Sequence, residues 1–198
     1  MKELFSEIRG AAMATLILAV VCCGLYPLVV FGIGQLAFRD KANGSLIVDK
    51  DGTVRGSRLL GQQFTGDKYF HSRPSSAGTG YDAINSGGSN LGPTSQKLRD
   101  NIAQNVSDYR SQNALATNAP VPADAVMASG SGLDPHISPK NAELQAPRVA
   151  KARGLTLEEV REAIKRHTDM PDLGFLGEPG VNVLTLNLDL DEGQSHSQ

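Results

Sequence analysis

Ser129, Ser131, Asp134 and His136 fall within eight residues of one another, in the segment Ala128-Ser-Gly-Ser-Gly-Leu-Asp134-Pro-His136-Ile-Ser-Pro139. Hydroxyl, imidazole and carboxylate are the parts of a hydrolytic relay, but a relay is defined by convergence in space, and residues this close in sequence rarely converge. The chain also lacks the G-x-S-x-G turn that presents a nucleophilic serine. Asp134, His136, His167 and Glu178 are suitable metal ligands, yet no H-x-x-x-H or paired-cysteine spacing sets two of them on one face. Gln145, Arg148, Lys151 and Arg153 could together meet a phosphate, although their spread around successive turns is also that of a solvated helix face. The simplest role for Asp134-Pro-His136 is structural, with the carboxylate accepting backbone N–H bonds in a turn. So many polar groups on irregular backbone still point to binding rather than packing.

A second candidate precedes it. Residues 71–95 read as one long irregular stretch, and Ser86-Gly87-Gly88-Ser89-Asn90-Leu-Gly92-Pro93-Thr94-Ser95 ends at a helix start, where backbone N–H groups could cradle an anion. The G-x-x-x-x-G-K-[ST] pattern of a phosphate loop is missing, and a solvated connector explains the same residues.

The elements that would hold these loops follow from periodicity and capping signals. Leu98, Ile102, Val106 and Tyr109 share one face of a helix. Residues 111–125 read as a linker. Ser138-Pro139 is a helix cap followed by a first-turn proline, with Pro147 expected to kink or restart that helix and Gly154 to end it. Thr156 and Glu159 form a capping box, Leu155 is placed to staple Val160, and Val160, Ala163, Ile164 and His167 face inward. Leu184, Leu186, Leu188 and Leu190 alternate with Thr185, Asn187 and Asp189, the pattern of a half-buried strand. Nearer the start, Ser45–Val48, a turn at Asp49–Gly52 and Thr53–Gly56 predict a hairpin. Leu59, Leu60, Phe64, Tyr69 and Phe70 form the next apolar cluster, expected in the core.

Between Arg9 and Arg39 lie 29 residues without a single Asp, Glu, Lys, Arg or His. As a helix they reach about 43 Å, more than the roughly 30 Å of a hydrocarbon core. The run is too long for the apolar part of a cleaved signal peptide and has no clean small-x-small cleavage site, so a retained anchor is expected. Val21 and Cys22 occupy the places where a lipid anchor on Cys22 or Cys23 needs small residues. Pro27 after Gly24 predicts a kink in the span. Lys2 and Arg9 precede the span while Arg39, Lys41, Lys50, Arg55 and Arg58 follow it, and since a large domain translocates largely regardless of charge, composition leaves sidedness open.

The chain has 198 residues, with 21 Gly, 10 Pro, no Trp and a formal net charge of −2. This describes one loop-rich domain behind an anchor and argues against nucleic-acid binding, which calls for clustered cations. The expected class is α+β: a cytoplasmic N-terminus at 1–9, a transmembrane helix at 10–38, a soluble α+β domain at 39–190 and a flexible tail at 191–198.

These residues carry a family resemblance. The span ending in Tyr26-Pro27, Asn43-Gly-Ser-Leu-Ile, Gly61-Gln62 with Phe64, Tyr69-Phe70 with Arg73-Pro74-Ser75, Ser86-Gly-Gly-Ser-Asn-Leu-Gly, the Ala128–Pro139 segment, Arg148-Val-Ala-Lys-Ala-Arg153, Val181-Asn182-Val183-Leu184 and Leu186-Asn187-Leu188 are together similar to the C subunits of Kdp potassium-transporting P-type ATPases. Met127 and Gly180 depart from the pattern, standing in place of a threonine and an arginine.

The resemblance implies an accessory, non-catalytic subunit in the bacterial inner membrane, beside a potassium-translocating subunit, an ATP-hydrolysing subunit and a small single-helix subunit, with no tightly bound cofactor. It implies a role in raising the ATPase subunit's affinity for ATP, with Gln145, and Arg148 beside it, as the counterparts of a proposed nucleotide contact. It also implies a cytoplasmic N-terminus and an extracytoplasmic domain. There Ser86, Gly87, Gly88, Asn90, Ser129, Ser131, Asp134 and His136 would touch a partner or the ion entrance. Direct ATP contact conflicts with an extracytoplasmic domain, so coupling through the membrane subunits is the consistent account; the alternative is a cytoplasmic, nucleotide-binding domain.

Overall fold

The computed structural model describes residues 2–195, and the chain divides after Val54 into two units. In the first, α1 (Lys2–Ala19), a π-helical turn (Val20–Leu25) and α2 (Tyr26–Ala37) form one unbroken apolar helix. Its 35 residues Glu3–Ala37 are long and apolar enough to cross a membrane, and none of its most apolar stretch is buried by the rest of the chain. Pro27 has no N–H to give and its ring crowds the carbonyl four residues back. The helix answers by widening: the N–H of Tyr26 reaches the carbonyl of Val21, five residues back, as in other π turns. A short α3 (Arg39–Ala42) follows, closed by the Asn43 side chain on the Arg39 carbonyl at 2.6 Å. The predicted hairpin is present as β1 (Leu46–Val48) and β2 (Val54–Ser57), the division falling within β2, with the N–H of Asp49 on the Thr53 carbonyl at 2.9 Å and Gly52 at φ +83°.

In the second unit, 58–95 contain neither helix nor strand, a longer irregular stretch than the sequence predicts. Then come α4 (Gln96–Gln112), a 3₁₀ turn (Ala123–Ala125), β3 (His136–Ile137), α5 (Pro139–Arg153), α6 (Leu157–Arg166), β4 (Thr168–Asp169), β5 (Gly180–Asn182) and α7 (Val183–Ser195). β5 is the central strand of a small antiparallel sheet, pairing Val181 with Ile137 on one side and Thr168 on the other. Helices α5, α6 and α7 and this sheet enclose the core: Ile137, Ala142, Ala146, Val149, Val160, Ala163, Ile164, Val181, Val183, Leu186 and Leu190, with Phe70 from the irregular stretch.

The capping signals act as expected. Ser138 accepts from the N–H of Asn141 with Pro139 in the first turn, Gly154 ends α5 at φ +67°, and Thr156 with Glu159 completes a capping box. Pro147 neither ends nor restarts α5, which runs through it for 15 residues. A missing N–H costs one helical bond, and tertiary contacts along the buried face outweigh that loss.

Two expectations fail. Leu59 and Leu60 are exposed, leaving Phe70 as the fully buried member of its cluster. The strand expected over 184–190 is helix α7, and it extends through Ser195 into the region expected as a tail; 196–198 lie outside the described residues. Of its buried positions, Val183, Leu186, Asn187 and Leu190 follow the i, i+3, i+4, i+7 rule, with Leu184 buried beside them. Asn187 is fully buried, so scoring it as an outward polar residue turned a helical period into a false period of two. The Asn182 side chain accepts from the N–H of Thr185 at 3.1 Å and caps the new helix.

Leu186→Ala should therefore destabilise the domain by about 2–5 kcal/mol, as for other buried leucines, and Leu188→Ala by clearly less. Chemical unfolding of both variants checks this; equal losses would favour the strand.

Candidate functional site

The irregular segment 66–71 is held by side chains of α5 and α7. Arg148 donates to the carbonyls of Asp67 at 2.7 Å and Tyr69 at 3.0 Å and reaches that of Gly66 at 3.5 Å. Arg153 donates to the carbonyl of Lys68 at 2.6 Å and pairs with Asp191 at 2.9 Å. Asn187 takes both backbone groups of Phe70, accepting from its N–H at 2.8 Å and donating to its carbonyl at 2.9 Å. Gln145 does the same for His71, at 2.8 and 3.1 Å. The two buried amides thus replace the neighbour strand that this backbone lacks.

Gln145 is 1% exposed, and its amide is further engaged by Asn141 Oδ1 and Arg148 Nη2, each at 2.9 Å. It borders a polar cleft of about 330 Å³ that is also lined by His71, Arg73, Tyr81, Tyr109 and Asn141. Burial, with Arg148 nearby, lowers the pKa of His71, and burial with the Asp124 carboxylate raises that of Tyr109. His71 is thereby favoured neutral and Tyr109 is kept as a donor, here to Asn141 Oδ1 at 2.8 Å. Lys151 is exposed, and Arg153 is spent on the loop and α7, so the four polar residues of α5 do not form a phosphate cradle.

Asp134 and His136 come together, but not with a serine. His136 lies between two carboxylates, its Nε2 2.9 Å from Asp169 and its Nδ1 3.7 Å from Asp134. Arg73 pairs with Asp134 at 2.9 Å and Arg58 with Asp169 at 3.0 Å, so two guanidinium groups, two carboxylates and the imidazole between them form a string that ties 58–73 to β3 and β4. Asp134, the less exposed carboxylate, raises the pKa of His136 most, with Asp169 assisting against the cost of burial. His136 in turn lowers the pKa of Asp134, whose carboxylate also accepts the N–H of His136 at 3.0 Å, the turn expected from sequence. Gly180 lies against this ring: a Cβ there would come within 3.2 Å of His136.

The Ser129 and Ser131 hydroxyls face each other at 3.5 Å, and Ser131 Oγ accepts from the N–H of Leu133. His167 belongs to another cluster, with Thr185 at 3.1 Å and Asp189 at 3.0 Å. Among the described residues no three of His, Cys, Asp or Glu gather as a metal-ligand group.

The structure does join two of the predicted loops. Ser86 Oγ and the N–H of Gly87 both donate to the Ser131 carbonyl, at 3.0 and 2.9 Å, and Gly88 packs on the Gly130 backbone. Gly132, at φ +68°, sits so close to Ala77 and Gly87 that a Cβ would come within 2.6 Å of backbone. The Gly87 N–H is thus already used, and Asn90, at φ +52°, is exposed on the same loop. Beside it Ser89, Leu91, Leu98, Ile102 and Met127 line a second cleft of about 330 Å³ against α4. Sequence reasoning missed Arg58, Arg73, Asn182, Asn187 and Asp169. For Asn187 a usable signal existed, its place in the helical stripe; Arg58, Arg73 and Asn182 each have a partner more than 60 residues away, and Asp169 meets His136 across 33.

Comparison with known proteins places this domain and the apolar helix in one family. Residues 8–192 match the family model described as KdpC: K+-transporting ATPase, c chain. Curated relatives named potassium-transporting ATPase KdpC subunit include one from Mycobacterium tuberculosis (strain ATCC 25618 / H37Rv), 57% identical over 185 residues, covering 93% of this chain and 97% of the relative. Another, from Koribacter versatilis, is 50% identical over 193 residues, covering 98% and 96%. A third, from Rhodospirillum rubrum, is 56% identical over 167 residues, covering 84% and 86%.

Two outcomes test this site. Gln145→Ala strands the N–H and carbonyl of His71 and should destabilise by about 2–4 kcal/mol, since each buried group left without a partner costs about 1–3 kcal/mol; Asn187→Ala should behave alike. His136 is held above its ordinary value of about 6.5, so its contribution is full below that pH and is lost as pH rises through the folded-state value. The denaturation midpoint should carry a component that falls with rising pH in this window and is missing in His136→Asn.

Proposed function

The chain belongs to the KdpC family, the c chain of K+-transporting ATPases, and from that premise we propose that it is an accessory, non-catalytic subunit of an ATP-driven potassium import complex. The observation that carries this is a family match spanning residues 8–192, the apolar helix and the domain together. Its partners are a potassium-translocating subunit, an ATP-hydrolysing subunit and a small single-helix subunit. The subunit stabilises their assembly and borders the extracytoplasmic entrance for potassium, with no catalytic group of its own.

The helix Glu3–Ala37 crosses the cell membrane once, N-terminus inside, and the domain lies outside. A domain so placed is separated from the nucleotide by a hydrocarbon core of about 30 Å. Its effect on the pump's ATP affinity is then a coupling free energy between two binding-competent states, carried through the membrane subunits, and ATP in turn tightens the hold on this subunit by the same factor. A second reading, direct nucleotide contact by a cytoplasmic domain, draws on the cleft beside Gln145 and Arg73. It requires ATP to compete with Asn141, Arg148 and the His71 backbone for an amide that they already occupy.

Sidedness separates the two. With Cys22 and Cys23 replaced by alanine, Ser111→Cys on the exposed end of α4 should react with a membrane-impermeant maleimide in intact cells. Labelling only after the membrane is broken would overturn the extracytoplasmic placement. The full chain alone in detergent should not retain ATP. If it does, and Gln145→Ala abolishes retention while the comparably destabilised Asn187→Ala does not, direct contact is the correct reading.

A further inference from the structure

Between β4 and β5 the chain makes an excursion, Met170-Pro-Asp-Leu-Gly-Phe-Leu-Gly177, that places large apolar side chains in solvent. Met170 is 74% exposed, Leu173 81%, Phe175 73% and Leu176 52%. The other exposed large apolar residues of this unit are the neighbours Leu59 and Leu60 and the single Ile84 and Met127, and isolated exposed residues of this kind are ordinary. Four within seven positions are a patch.

The excursion is built. Asp172 and Leu176 bridge as an antiparallel pair, with the N–H of Asp172 on the Leu176 carbonyl at 3.0 Å and that of Phe175 on the Asp172 carbonyl at 3.2 Å. At its tip Leu173 has φ +54° and Gly174 φ +81°, the left-handed pair that two-residue hairpin turns normally fill with Asn-Gly. A leucine there is strained and gains nothing from the core, so the fold spends conformational energy to hold an apolar group outward. Strain kept at an exposed tip is a sign of use.

Charge narrows what covers it. From Met170 to Gly180 the charged residues are Asp172 and Glu178, and there is no cation. The adjoining groove past Met170 is lined by Glu143, Glu158 and Glu162 against Arg161 and Lys165, one net negative charge more. An anionic lipid surface is repelled by such a collar. A two-fold contact with a second copy would set the same carboxylates against one another. An apolar recess rimmed by Lys or Arg satisfies both the tip and its collar.

Resting on the reading of this chain as a pump subunit, we infer that the 170–177 hairpin is a docking knob, with Leu173 and Phe175 as its anchors, that inserts into an apolar, cation-rimmed recess on another protein subunit of the complex. A photo-crosslinking phenylalanine analogue placed at Leu173 of the full chain, in native membranes holding the whole pump, tests it. The probe should join the chain to another pump subunit, and the same probe at Leu59, 60% exposed and outside every loop assigned to a partner, should do so at several-fold lower yield. Reversing the collar with Asp172→Lys and Glu178→Lys should cut the Leu173 yield on the order of tenfold, as charge at an interface rim governs encounter. Crosslinks only to lipid, only to a second copy, or to nothing while the other subunits still co-purify would each overturn the docking assignment and leave the subunit reading standing. If the unsubstituted chain brings down no other subunit, that reading fails, and the docking assignment falls with it.

Discussion

Six carbonyls in a row, those of Gly66 to His71, are all satisfied without a neighbouring strand, and the architecture of the domain depends on that. A stretch with no helix or strand from 58 to 95 cannot enter a core unless its backbone polar groups find partners, because each one left bare costs about 1–3 kcal/mol. Arg148 and Gln145 of α5, and Asn187 of α7 with Arg153 behind it, supply them. Phe70 can then be fully buried among Ala146, Val149 and Leu186, although it lies on irregular chain. The same exchange explains why α5 has so mixed a buried face, with Asn141, Gln145 and Arg153 beside Ala142, Ala146 and Val149.

A second polar device acts at the sheet. The string Arg58–Asp169–His136–Asp134–Arg73 spans β3, β4 and both ends of the clamped stretch, and it closes only when the strands are in register. Each member is partly exposed, so no single pair is worth much in water. As an alternating network it orients the Ala128–Pro139 loop, whose Ser131 carbonyl in turn holds Ser86 and Gly87. The outcome is a domain whose loops are held by hydrogen bonds to side chains and to one another although they lack regular structure. For the contact role proposed above, loops already hydrogen-bonded in this way need less further ordering on docking.

How much of this was legible depended on how local the cause was. Ser138-Pro139, Gly154 and the Thr156–Glu159 box were readable because a cap is decided within four residues. The apolar helix was readable from composition alone, although its answer to Pro27 was a π turn. The α7 helix was misread because Asn187, a residue that ordinarily points outward, is buried against Phe70, and the hydrogen bonds that bury it come from 117 residues away. Gln145 stood out as a polar residue in a suggestive place, yet nothing in its surroundings shows that its partner is the His71 backbone.

The sequence by itself determined the caps of α5 and α6, the long apolar helix and the family, since these rest on capping, composition and motif identity along a continuous stretch of chain. Only the tertiary structure decided which polar residues are free and which are spent. That is a question of which residues meet although they are far apart along the chain, from 33 positions for His136 and Asp169 to 124 for Asn182 and Arg58, and a side chain's chemistry is available to a partner only after the fold's own backbone has taken its share of hydrogen bonds.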